Sequence, residues 1–177
     1  MNITMILLWC WGIFNFVIGI YEVYMFINRK KLLINYVSVW DNIKNGSITF
    51  RTFLIEAWAE YCKVDSRYII KYSPLQYVWF FELLNFIISV LFLYFLINKN
   101  LLYIKIILLL SICNCSLYFL TLLIEIFNPN NTLVLDNIRK YASKWNLIMY
   151  YLIASIWLIV PIFIYNHKML KDIKYKI

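Results

Sequence analysis

The sequence predicts an all-α membrane protein, a four-transmembrane-helix bundle with an amphipathic helix in the long loop between helices 1 and 2. Hydrophobic residues make up 64% of the 177 positions and charged residues only 15%, against roughly half and a quarter in soluble domains. Four apolar runs, residues 5–27, 75–97, 101–127 and 145–165, meet the length of about 20 residues that a helix needs to cross the hydrocarbon layer. Inside those runs the polar residues recur at helical spacing instead of scattering.

The first run has no basic segment ahead of it, contains Glu22 and is followed by no small-x-small cleavage site. It is therefore expected to be a retained helix and not a signal peptide. The stretch from Asn28 to Pro74 is too long for a plain connection. Within it Phe50, Phe53, Leu54, Trp58 and Tyr61 fall at helical spacing, with Thr52, Glu56, Glu60 and Lys63 opposite. This pattern predicts an amphipathic helix with Ser47 as its N-cap, lying on the bilayer or capping the bundle. Asn98-Lys99-Asn100 makes a tight hairpin between the second and third runs, and Asn128-Pro129-Asn130 stops the third. With 3 Gly, 3 Pro and no internal repeat, the chain reads as a single domain over residues 1–177.

The net charge of +8 comes from 17 Lys and Arg spread over loops and tail. Without a basic stripe, nucleic acid is excluded as a partner and lipid headgroups are the expected counterions. Basic residues flank both ends of the spans in similar number, so they do not fix the orientation. The sequons at Asn45 and Asn130 share the side opposite the termini. Cys10, Cys62, Cys113 and Cys115 have no zinc or disulfide spacing. No metal, no cofactor, no phosphate-cradling loop and no Ser–His–Asp arrangement is expected.

The polar residues form stripes. On the third run Ser111, Asn114, Tyr118, Thr121 and Glu125 recur at steps of three and four, which puts all five on one face. Glu82, Asn85 and Ser89 do the same on the second, and Asn15, Gly19 and Glu22 mark the first. The fourth presents Asn146, Tyr150, Ala154, Trp157 and Pro161. Asn, Ser and Thr in such places act as interhelical glue. A carboxyl group below the headgroups needs a partner or a cavity, which makes Glu82 the leading candidate for proton chemistry. Glu22 and Glu125, nearer the span ends, are expected to reach an interface. Trp157, in mid-span on its stripe, offers an indole face to a cation.

The segment WAEYCKVDSRYI, Trp58 to Ile69, resembles the signature of the emopamil-binding protein family (EXPERA domain), which includes Δ8–Δ7 sterol isomerases and sigma-2 receptor-like proteins. Glu82 early in the next span, LYFLT at 117–121 and IWLIVP at 156–161 agree in order and spacing. The resemblance implies a multi-pass protein of the endoplasmic reticulum membrane that binds a sterol or other lipid, and cationic amphiphilic amines. It leaves a homodimer open. It implies a catalytic set of Glu82 as proton donor or acceptor, Trp157 as cation stabiliser, and Glu22 or Asp65 as second carboxylate. The stripe residues Asn15, Asn85, Asn114, Tyr118, Thr121 and Tyr150 would line the ligand site. A receptor-like, non-catalytic role in sterol binding or trafficking is the alternative, with Asp65 and Glu82 serving the ligand. The chain departs from the isomerase pattern at Asn15 (His there), Gly19 (Glu), Cys115 (Asp) and Ala154 (Asn), and lacks the isomerases' additional N-terminal helix. Asn15 cannot carry a proton as His does.

Overall fold

The computed structural model describes residues 3–32, 45–46, 49–69, 77–130, 132–167 and 170. The described residues form α1 (Ile3–Leu32), α2 (Phe50–Cys62), a 3₁₀ turn (Ser66–Tyr68), α3 (Val78–Ile97), α4 (Leu101–Ile126), α5 (Leu133–Tyr141) and α6 (Lys144–Tyr165), with no strand among them. Four helices are long and apolar enough to cross a membrane, over Met5–Arg29, Val78–Ile97, Leu101–Ile126 and Lys144–Tyr165. A helix pairs every interior backbone group within itself, as hydrocarbon requires.

The chain divides into two compact units. The first holds Met1–Val23, Phe81–Tyr118 and Ala154–Ile177; the second holds Tyr24–Phe80 and Phe119–Ile153. In the first unit Leu8, Trp11, Ile88, Phe92, Ile104 and Leu108 belong to one buried apolar cluster. Ile13, Val17, Ile87, Val90, Leu109 and Leu110 stay exposed, the apolar surface that lipid would cover. The hairpin between α3 and α4 is a Schellman turn. Lys99 takes a left-handed φ of 54°, its N–H donates to Leu96 O at 3.1 Å, and Asn100 N–H donates to Phe95 O at 2.9 Å. Asn100 then caps α4, its Oδ1 accepting from Tyr103 N–H at 3.4 Å.

Gly12 and Gly19, seven residues apart on α1, are where this helix meets α3. A Cβ on Gly19 would stand 2.7 Å from Phe86 Cδ2 and 3.1 Å from Phe86 Cα, and one on Gly12 would stand 2.7 Å from Leu93 Cδ2. Small residues let two backbones approach in this way. Gly19→Val is expected to destabilise the protein by about 1–3 kcal/mol, the usual range for overpacking. A melt in detergent that matched wild type would contradict the close approach.

In the second unit α2 starts at Phe50. Its N-cap is Thr49, which accepts from Thr52 N–H at 3.2 Å, while Thr52 Oγ1 accepts from Thr49 N–H at 2.8 Å. This reciprocal capping box stands two residues beyond the expected cap, Ser47, which lies outside the described residues, as does the expected span start at Leu75. The amphipathic helix is present but divides along its length. Phe50 and Phe53 are exposed, Trp58 is buried, and on the polar face Glu60 and Lys63 form a part-buried ion pair at 2.7 Å. The expected polar connection between the last two spans contains a helix of its own, α5, with Asp136 in its first turn and Arg139 and Lys140 in its last. Those charges complement the helix dipole.

Candidate functional site

Each unit encloses a cluster of polar side chains. In the first, Glu22 of α1 is only 4% exposed. Asn85 Nδ2 donates to Glu22 Oε2 at 3.3 Å, and the Glu82 carboxyl group on α3 lies within electrostatic reach of Glu22. Glu82 and Asn85 are three residues apart and share a helix face. Two carboxyl groups brought together in this way are the residue types that general acid–base chemistry uses.

α4 flanks the pair. Asn114 Nδ2 donates to Phe81 O at 3.1 Å, and the buried Asn114 Oδ1 has no partner among the described residues. Cys115 lies within electrostatic reach of both carboxyl groups. Tyr118 is buried and its ring meets that of Phe81 edge-on at 6.3 Å.

Trp157 of α6 stacks on Phe14 at 5.1 Å and meets Trp11 edge-on at 5.6 Å. One face of its indole is thus occupied by packing. Asn15, one turn after Trp11, donates from Nδ2 to Trp11 O at 2.8 Å.

The second unit is built around an ion pair with no exposure on either side chain. Arg67 Nη2 donates to Asp65 Oδ2 at 2.6 Å and Arg67 Nε to Asp65 Oδ1 at 2.8 Å, a bidentate fork. Arg67 Nη1 reaches Thr121 Oγ1 on α4 at 2.8 Å, and Tyr150 Oη donates to Asp65 Oδ2 at 3.5 Å. Asn146 Nδ2 donates to Glu60 Oε2 at 2.9 Å and ties α6 to α2. Around these lie the rings of Trp58, Tyr61, Tyr68, Trp79 and Tyr150, with neighbouring centroids 4.9–6.1 Å apart. Among the described residues, the buried Ser66 hydroxyl next to Asp65 has no hydrogen-bond partner, nor has the buried indole N–H of Trp79.

Most of the expected site residues are thus sorted between two clusters, whereas Trp157 and Asn15 meet Trp11 instead. Glu22 and Asn85 come into direct contact with Glu82 nearby, and Asn114 and Tyr118 stand on the helix beside them. Asp65, Thr121 and Tyr150 come together through Arg67 in the second unit. Of the two residues expected as second carboxylate, Glu22 joins Glu82, whereas both Asp65 oxygens are engaged by Arg67. The expectation that Glu22 reaches an interface is overturned: nearness to a span end did not outweigh the partners that α3 supplies. Glu125 likewise keeps a buried carboxyl oxygen, Oε2.

The sequence reading missed Arg67, the residue on which the second cluster turns. Its signal was present: a cation two positions after an acid inside an aromatic-rich segment. No family model, curated protein or solved structure matches this chain.

Proposed function

We propose that this chain is a sterol-binding membrane protein resembling the Δ8–Δ7 sterol isomerases of the emopamil-binding family, at home in the endoplasmic reticulum membrane. It would move a ring double bond by protonation and deprotonation. The observation that supports this reading is the juxtaposition of buried Glu22 with Glu82 and Asn85. The protonated member adds its proton to one carbon of the ring alkene, which leaves a carbocation at the other. The ionised member removes an allylic proton, the new double bond forms, and the pair ends with the proton count it began with. General acid–base catalysis of this kind contributes about 10²–10⁴-fold.

Trp157 would stabilise the cation through its indole ring, worth about 2 kcal/mol where water is excluded. Amphiphilic amines would compete with the sterol because their charge imitates the cation.

A second reading is a non-catalytic sterol-binding or trafficking role, as in the receptor-like members. The buried Ser66 hydroxyl and Trp79 N–H favour it, since both are donors available to a sterol oxygen beside Asp65. Complementation of a strain lacking the sterol isomerase separates the two readings. The isomerase reading expects growth from wild type, none from Glu82→Gln and reduced growth from Trp157→Ala. Absence of rescue by a well-expressed, membrane-inserted wild-type chain would leave the binding reading.

A further inference from the structure

α4 ends its apolar span at Ile126 and the chain returns at Lys144, where α6 begins. The segment between two spanning helices lies at the membrane surface. In the second unit it carries exposed cations beside exposed aromatic rings. Arg139, Lys140 and Lys144 are exposed, and Phe127 and Trp145 are 77% and 74% exposed. Trp gathers at the headgroup level because its ring is apolar and its N–H is polar. We infer that the α5–α6 junction binds the headgroup of an anionic phospholipid, with Lys140 and Lys144 as its counterions and Trp145 beside its acyl chains.

The local structure fixes these groups in place. α5 buries Val134 completely and ends at Tyr141. Ser143 N–H donates to Asn146 Oδ1 at 2.9 Å, and Asn146 N–H donates to Ser143 Oγ at 3.2 Å. This reciprocal cap sets Lys144 and Trp145 in the first turn of α6. The Lys140 ammonium stands 4.9 Å from the Tyr141 ring centroid. The acidic groups of this region are already engaged. Arg139 reaches Asp136 at 3.9 Å, and Glu60, which accepts from Asn146, is paired with Lys63 at 2.7 Å. Among the described residues neither Lys140 nor Lys144 has a carboxylate within ion-pair distance. Two cations four residues apart are left for an external anion, and at a bilayer surface that anion is an acidic headgroup. The inference rests on the spanning helices alone and not on sterol chemistry.

Native mass spectrometry of the full chain, released from nanodiscs of phosphatidylglycerol and phosphatidylcholine in equal parts, reads which lipid stays bound. Wild type is expected to retain phosphatidylglycerol in preference. Lys140→Gln/Lys144→Gln is expected to lower the ratio of the two bound lipids at least about fivefold, the effect of one cation near an anionic surface. Both lysines are exposed, so the fold is expected to tolerate the change. Should the double variant fail to fold, single variants carry the test. Lys144→Gln is expected to lower the ratio more than Lys99→Gln, which removes the same charge from the hairpin before α4. Excess inorganic phosphate is expected to leave the lipid bound. Its displacement by phosphate would assign the cations to a soluble anion and overturn the inference. Equal retention of the two lipids by wild type would leave the cations to an acidic protein and overturn it too. So would equal losses in Lys144→Gln and Lys99→Gln, which would reduce the preference to net charge.

Discussion

Arg67→Met is expected to destabilise the folded chain by about 3–5 kcal/mol, the loss seen when one partner of a buried ion pair is removed. Asp65 and Arg67 have no exposed side-chain surface, so the surviving carboxylate would be left without water and without its two forked donors. Thr121 would lose its bond from Arg67 Nη1 as well. The loss is read as the drop in thermal midpoint in detergent, with helicity followed in parallel. The double change Asp65→Leu/Arg67→Met removes both charges and is expected to recover much of the stability. Replacing a buried pair by apolar residues of similar volume is often neutral. A single Arg67→Met variant that melts with wild type would contradict the ion pair's role in holding the second unit together.

On the proposed isomerase reading, Glu82→Gln is expected to lower the rate of sterol isomerisation by 10²–10⁴-fold, the range for loss of a general acid or base. Glutamine retains a hydrogen-bonding partner for Glu22 but cannot exchange a proton, so packing is conserved while chemistry is lost. Glu22→Gln is expected to do the same. On that reading the two carboxyl groups work as a unit, so the double variant should be hardly worse than either single one. The initial rate of double-bond migration in nanodiscs checks all three. Additive losses would mean that the two carboxyl groups act separately. An unchanged rate in Glu82→Gln would reduce Glu82 to interhelical glue.

The helices were legible because lipid imposes a simple rule: long apolar runs must be helical, and their polar residues must converge. Asn15, Asn85, Ser89, Ser111 and Asn114 are all buried, as their 3- and 4-residue spacing implied. Periodicity shows which face is buried but not which residue on another helix it meets. For that reason spacing alone does not place Glu22 against Glu82 and Asn85, although both stand on a recognised stripe.

The second cluster was less legible. Its centre is the irregular stretch after α2, where Asp65 Oδ1 accepts from Arg67 N–H at 3.3 Å and shapes the 3₁₀ turn. No hydrophobic period marks such a turn. Gly19, read as a lost acid by comparison with the isomerases, has a steric reason to be glycine, since Phe86 occupies the space a side chain would need. The short helix α5 escaped because charges at both ends of nine residues resemble a polar loop.

The most direct test of the carboxyl-pair account is to incubate the purified wild-type chain with a Δ8 sterol in deuterated water. The product is then analysed by mass spectrometry. The account predicts a Δ7 sterol carrying one solvent-derived deuteron at the ring carbon that was protonated, and at least a 100-fold slower appearance of that product with Glu82→Gln. Folded wild-type protein that binds the sterol but returns it with its double bond unmoved and no deuterium incorporated would contradict it.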